Sequence, residues 1–269
     1  MPRWPVALVT GASSGIGRAI AVQLAADGSD LIVVARRRDK LDELAQELRA
    51  AHGVTVDVVV ADVTDPEQLA ALEDRLRTGS PSVDLLVNNA GAGGQGAFAE
   101  LPLERHESQI RLNVLAPVRL THAALGPMLA RGRGGVLNVS SIAGLQPMPY
   151  VTTYAATKAY LSSFSHALHE EVRGHGVVVT NLLPGFTRTE FHDAAQMSRA
   201  MAALHTAIPR KSGERRGCDE SRADSSVIAS GQAIASIGSS ALTPSSALGS
   251  YAAEWKYSIS QFGVIVWNP

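Results

Sequence analysis

Tyr154 and Lys158, in the run Tyr154-Ala155-Ala156-Thr157-Lys158, stand four residues apart in a chain of 269 residues. That spacing places a phenol and an ammonium on one face of a helix, one turn from each other. A free phenol titrates near 10 and exchanges protons poorly at neutral pH, whereas a nearby cation favours the phenolate and lowers that value. Alone, Tyr-x-x-x-Lys is a common structural pattern on helices; its surroundings give it weight. Ser141 follows the apolar run Val136 to Val139 and precedes Tyr154 by thirteen positions, so a hydroxyl at a strand end can bond a substrate oxygen beside the phenol. Asn88-Asn89-Ala90-Gly91 closes another apolar run. Asn113 lies inside a long helical stretch, where an Asn is ordinarily a tolerated surface residue.

A second constellation lies near the start of the chain. Thr10-Gly11-Ala12-Ser13-Ser14-Gly15-Ile16-Gly17 joins a strand-like run to a helix. Its glycines permit a tight turn and close backbone approach to a pyrophosphate, which the free N–H groups and dipole of the helix start attract. A glycine-rich turn with no ligand is the bland alternative, weakened by the strand-before, helix-after context. At the end of the next strand, where an NAD site would carry an acidic residue for the ribose hydroxyl, the chain has Ala35-Arg36-Arg37-Arg38. Guanidinium groups form charge-assisted bonds to a 2′-phosphate, so Arg36 and Arg37 predict NADP(H) in preference to NAD(H). The competing reading is a solvated basic turn.

These residues need a frame, and the hydrophobic pattern supplies one. Val6 to Thr10, Leu31 to Ala35, Val54 to Val60, Val83 to Val87, Val136 to Val139 and Val177 to Leu183 read as strands. Between them run helical patterns at Ile16 to Ala26, Lys40 to Ala51, Asp65-Pro66 through Arg77, about Glu104 to Ala130, and Tyr154 to Arg173. Asp65 suits an N-cap with Pro66 at the first helical position. Near-continuous apolar strands alternating with helices predict an α/β class: a Rossmann-like, doubly wound parallel sheet with helices on both faces, in a single domain. Ligands then sit beyond the carboxyl ends of the strands, where every motif above falls.

Bulk properties exclude other classes. With 24 basic and 25 acidic residues the formal charge is -1, which gives no footprint for nucleic acid. One cysteine, Cys218, can form neither an internal disulfide nor a cysteine-based zinc site, which favours a reducing, cytoplasmic setting. No apolar run approaches the length needed for membrane insertion, and the start of the chain reads directly into a strand without a signal-peptide stretch. His166, His169 and His175 lack a second cluster with ligand spacing and read as surface or packing residues, so no metal is expected. From Lys211 onward roughly one residue in five is Ser, without sustained periodicity, which divides the chain into a Rossmann unit at 1–209 and an atypical, poorly ordered Ser/Gly/Ala-rich segment at 210–269. Phe262 to Trp267 is a candidate seventh strand.

Together these motifs resemble the short-chain dehydrogenase/reductase family in its compact single-domain branch, from about Val6 to Glu190. The resemblance implies that Gly11, Gly15 and Gly17 form the cofactor turn, with Ser13, Ser14 and Ile16 between them. It further implies that Asp62 and Val63 contact adenine and that Asn89-Ala90-Gly91 braces the central strand. Pro184-Gly185-Phe186-Thr187-Arg188-Thr189 is similar to the stretch that holds the nicotinamide carboxamide, with Thr189 at the usual hydroxyl position and Thr187 nearby. Asn113, Ser141, Tyr154 and Lys158 fall on the catalytic tetrad. In the implied reaction Ser141 orients a carbonyl, nicotinamide delivers hydride, and Tyr154 gives the proton. Lys158 lowers the phenol's pKa and holds the ribose, and Asn113 anchors a water behind it. The substrate is a small carbonyl compound or alcohol, in a pocket formed by Gly93-Gly94-Gln95-Gly96, Leu145 to Val151 and a helix from Phe191. That pocket's residues suggest a moderately apolar ketone, aldehyde or secondary alcohol. A homodimer or homotetramer is implied too, but nothing from Lys211 onward resembles the family's closing helix and strand. The alternative to an active enzyme is a catalytically weak NADP(H)-binding sensor or damaged enzyme with an altered terminus.

Overall fold

The computed structural model of the chain describes residues 2–185, 257–259 and 265–267. Six strands form its centre: β1 (Val6–Thr10), β2 (Asp30–Ala35), β3 (Val56–Val60), β4 (Leu85–Asn88), β5 (Gly134–Val139) and β6 (Val177–Leu183). They are mutually parallel, in the order β3-β2-β1-β4-β5-β6. Parallel neighbours need crossovers, and the helices provide them: α1 (Gly15–Ala26), α2 (Arg38–His52), α3 (Pro66–Thr78), α4 (Leu103–Ile110), α5 (Ala116–Arg131) and α6 (Thr152–Val172). Because the chain turns from β1 to β2 on one side and to β4 on the other, a crevice opens beyond the ends of β1 and β4.

Both faces of the sheet are covered, as the continuous apolar strands require. Ala7, Val9, Leu31, Val33, Leu85 and Val87 pack with Ile20, Leu24, Leu41, Leu44 and Leu48 of α1 and α2. Leu8, Ile32, Val34, Leu86 and Val136 point the other way, toward Leu69, Leu72, Leu120, Ala123, Met128 and Leu168 of α3, α5 and α6. Few aromatics are involved, so stability rests on many aliphatic side chains, each fully buried Leu, Ile or Val contributing about 1.5–3 kcal/mol. The start of α3 follows its sequence signal: the Asp65 carboxylate accepts from the amides of Glu67 and Gln68 at 3.0 and 2.9 Å, and Pro66 stands first.

Two features depart from the periodicity. The helical stretch from Glu104 to Ala130 is interrupted by a π-helical turn at Arg111–Leu115, which separates α4 from α5. Beyond β6 the sheet continues with two antiparallel strands, β7 (Tyr257–Ile259) and β8 (Ile265–Trp267), with β8 beside β6. The candidate strand at Phe262 to Trp267 thus contributes Ile265–Trp267 to the sheet. Among the described residues no helix is long and apolar enough to cross a membrane.

Candidate active site

The end of β1 is the first wall of the crevice. A side chain on Gly17 would collide with the Gly11 carbonyl and the Asn89 amide, so the turn can close onto the helix only without one. Asn89 holds it there, donating from Nδ2 to the carbonyls of Thr10 and Gly11 at 2.9 and 3.2 Å. The Thr10 hydroxyl completes the brace, accepting from the amides of Asn89 and Ala90 at 3.0 and 3.1 Å and donating to the carbonyl of Val87. Ser14 precedes α1 in extended conformation and its side chain makes no capping bond; the first turn, with Gly15, Ile16 and Gly17, carries no acidic residue. The amides of this helix start are therefore left to an anionic partner, which fits a dinucleotide pyrophosphate.

The basic turn lies alongside. Arg37 donates to the Ser13 hydroxyl at 3.1 Å, which brings its guanidinium onto the glycine turn. Arg36 is largely exposed, 3.6 Å from the Asp62 carboxylate. Burial opposes ionisation of Asp62, but its bonds from the Thr64 amide and hydroxyl and the Arg36 charge prevail and hold the carboxyl below its ordinary range. Val63 is buried against the sheet.

The catalytic candidates come from three further elements. Ser141 caps a 3-10 turn at Ile142–Leu145, its Oγ accepting from the Ala143 amide at 3.1 Å. That turn presses on α6 so closely that a side chain on Gly144 would lie 2.6 Å from backbone atoms of Lys158 and Ala159. Ser141 and Tyr154 are thereby brought within hydrogen-bonding reach, and the bond lowers the phenol's pKa while burial, the larger influence, raises it. The net direction is upward. Ser140, by contrast, is committed to packing: its hydroxyl donates to the Lys158 carbonyl at 2.7 Å and lies 2.8 Å from that of Ser162.

Lys158 is buried beside Tyr154, its Nζ 5.8 Å from the ring centroid, and donates to the Val139 carbonyl at 2.8 Å. Burial pushes its ammonium down to about 8. Asn113 occupies the π-helical turn and is not a surface residue: it is 1% exposed, because its amide is fully engaged. Nδ2 donates to the Ala92 carbonyl at 2.9 Å and the Thr157 hydroxyl at 3.0 Å, and Oδ1 accepts from the Ala92 amide at 3.0 Å. Four residues later stands Pro117, which has no N–H, so the Asn113 carbonyl lacks the donor an α-helix would supply. Gly91 lies between these groups; a side chain there would come within 3.3 Å of Asn113 Oδ1 and 3.4 Å of Lys158 Nζ.

The structure thus gathers Gly11 to Gly17, Arg36, Arg37, Asp62, Val63, Asn89 to Gly91, Asn113, Ser141, Tyr154 and Lys158 at the carboxyl end of the sheet. Pro184 joins them through its carbonyl, which accepts from the Ile142 amide at 3.2 Å, and Gly185 follows it. Thr187, Thr189, the Phe191 helix, Cys218 and most of the segment 210–269 lie outside the described residues. Of the pocket segments, Gly93 to Gly96 and Leu145 to Val151 meet where the Gly96 amide donates to the Tyr150 carbonyl at 2.8 Å. Thr10 and Thr157 are site residues that sequence reasoning passed over. Thr157 sits within the Tyr-x-x-x-Lys run, and Pro117 four positions after Asn113 is the sequence signal for the altered helix. His169 has a packing role, its Nδ1 3.2 Å from the Val179 carbonyl.

A crevice at a parallel-sheet switch point, with a glycine turn on one side and a serine, tyrosine and lysine on the other, is the site that this Rossmann-like α/β fold builds. The chain belongs to the short-chain dehydrogenase family, whose family model matches residues 5–200. It is 35% identical over 198 residues to a very-long-chain 3-oxoacyl-CoA reductase of Anas platyrhynchos, covering 71% of this chain and 62% of that protein. The chain thus spans less than two thirds of that relative's length. Among solved structures, a short-chain dehydrogenase from Sphingobium yanoikuyae in complex with NADPH is similar at a TM-score of 0.71 and 39% identity, covering 73% of this chain and 77% of that one. A bulky-bulky ketone specific alcohol dehydrogenase from Comamonas testosteroni has a TM-score of 0.67 and 40% identity, covering 69% and 74%.

Proposed function

We propose that this chain is an NADP(H)-dependent reductase or dehydrogenase in which Tyr154 exchanges a proton with the oxygen of a carbonyl compound or secondary alcohol. The observation that carries the reading is the hydrogen bond between Ser141 and Tyr154, contributed by two elements packed tightly together, with the Lys158 ammonium beside them. In this reading the amides after Ser14 meet the cofactor's phosphates and Asp62 and Val63 its adenine. Asn89-Ala90-Gly91 and Pro184-Gly185 lie toward the nicotinamide, and the family resemblance assigns Thr187 and Thr189, outside the described residues, to the same contact. Arg36 and Arg37 favour the 2′-phosphate of NADP(H), and the NADPH bound by the Sphingobium yanoikuyae protein supports that preference over NAD(H).

When bound, the nicotinamide supplies hydride to the carbonyl carbon, or takes it back in the oxidising direction. The residues of the chain manage the oxygen. Ser141 donates to it, and Tyr154 releases its proton as negative charge develops there. Burial keeps the phenol protonated until then. The Lys158 cation then favours the phenolate left behind, and a water at the Asn113 carbonyl restores the proton. The chemistry fits a moderately apolar ketone or aldehyde in a reducing, cytoplasmic setting. A homodimer or homotetramer belongs to the same reading, as the family resemblance implies.

Oxidation of NADPH and NADH by the purified protein, across aldehydes, ketones and 3-oxoacyl esters, tests this with Tyr154→Phe as control. NADPH-selective turnover that is lost in the control is the expected result. Tight NADPH binding without turnover would overturn it and favour the sensor or damaged-enzyme alternative.

A further inference from the structure

One imidazole ties the loop between β4 and α4 to the first turn of α6. His106, buried in α4, has Nε2 3.2 Å from the Phe98 carbonyl oxygen and Nδ1 2.7 Å from the Thr153 hydroxyl. A carbonyl can only accept, so Nε2 bears the proton, and in a neutral ring Nδ1 accepts from Thr153. The two rings also pack, with the Phe98 and His106 centroids 4.5 Å apart. Apolar burial does little else to hold this loop at Phe98, which is 59% exposed. A parallel tie joins the Gly96 amide to Tyr150, a non-glycine residue at φ 67, a conformation bulky side chains rarely adopt. Between the ties is a small cavity lined by Gly94, Gly96, His106, Gln109 and Thr153, into which the buried Gln109 Oε1 brings no hydrogen bond from the described residues.

We propose that His106 is a positioning residue: its imidazole couples the 93–101 loop to the helix start that carries Tyr154, and so sets how substrate meets the phenol. Its effect on turnover rests on the dehydrogenase reading above; the coupling itself does not. A His that merely fills space would have little need of bonds from both ring nitrogens to two separate elements.

Three single variants and one double variant test it. His106→Phe keeps a ring and loses both bonds, Thr153→Val loses one, and His106→Gln restores a donor and an acceptor on one planar group. Amide hydrogen exchange across residues 93–101 is measured together with kcat, KM and NADPH affinity. The expected result is faster exchange in His106→Phe and Thr153→Val, with kcat lowered about tenfold through misplacement of substrate against Tyr154 and NADPH affinity kept within about twofold. His106→Gln recovers most of both losses, and the double variant His106→Phe/Thr153→Val is no worse than His106→Phe. Unchanged exchange in both single variants, or losses that simply add in the double variant, would overturn the coupling. If the wild-type protein binds NADPH and reduces nothing, the dehydrogenase reading fails while exchange still decides the coupling. Should His106→Phe not fold, Thr153→Val, which alters one exchange-labile group at the helix start, decides alone.

Discussion

The Lys158 ammonium donates to the carbonyl oxygen of Val139 at 2.8 Å, so the strand that delivers Ser141 also anchors the lysine of the helix that carries Tyr154. Strand end and helix face are thereby tied together, in addition to the close backbone packing of Gly144 against Lys158 and Ala159. Functional constellations hold their geometry best when built on rigid elements in this way.

Removing the phenolic hydroxyl should leave the fold intact, because Tyr154→Phe keeps the buried ring in place. Tyr154→Phe is expected to lower kcat about 10²–10⁴-fold, the usual contribution of a positioned acid or base. NADPH affinity, measured by fluorescence titration, should be nearly unchanged.

Burying an ammonium costs stability. Lys158 titrates near 8 in the folded protein against about 10.4 in an unfolded chain. Between those values the unfolded state binds the extra proton, so stability rises with pH across that window, and below it the whole cost is present. That cost is on the order of 3 kcal/mol at pH 7. Lys158→Met should therefore abolish turnover yet be more stable than wild type at pH 7, with the difference shrinking toward pH 10. Urea unfolding at the two pH values measures it, and a variant less stable at pH 7 would contradict the account.

The glycine turn has no room to spare. Gly17→Ala places a methyl against the Gly11 carbonyl and the Asn89 amide, neither of which can move without breaking the brace to Thr10. A stability loss of about 1–3 kcal/mol is expected from overpacking. NADPH binding should weaken more than tenfold, by calorimetry, since the turn opens where the pyrophosphate amides lie.

Charge at the end of β2 should decide between the two dinucleotides. Arg37→Asp replaces a guanidinium held on the glycine turn with a carboxylate that repels a 2′-phosphate. Losing one charged hydrogen bond is worth about 1.5–3 kcal/mol. The NADPH-to-NADH ratio of kcat/KM should accordingly fall by about 10–100-fold, and the wild-type preference for NADPH should weaken as salt is raised. An unchanged ratio would reduce Arg37 to a solvated turn residue.

Asn113 is expected to act through structure as much as chemistry. Asn113→Ala removes three hydrogen bonds: the Ala92 amide and carbonyl lose their Asn113 partners, and the Thr157 hydroxyl keeps only its bond to the Tyr154 carbonyl. A loss of about 2–4 kcal/mol follows, read as a lower urea midpoint.

The six parallel strands, their helices and the positions of the glycine turn and the Tyr-x-x-x-Lys face were legible in the sequence. They follow from local rules: near-continuous apolar runs bury both sides of a strand, a four-residue spacing shares a helix face, and Asp65-Pro66 opens a helix by its own chemistry. Asn113 was not legible as a buried residue, because its partners Ala92 and Thr157 lie 21 and 44 positions away and helix propensity knows nothing of them. The same holds for Thr10 beneath Asn89, for His106 between a loop and the start of α6, and for the π-helical turn. The direction of the Tyr154 shift was also a tertiary matter: spacing placed a cation nearby, whereas packing desolvated the phenol and turned Lys158 toward Val139. Sequence by itself determined which groups this protein has and the elements on which they ride. Only the tertiary structure decided which of them are dry, which are paired and which face one another, because burial and long-range hydrogen bonds exist only once the chain has closed on itself.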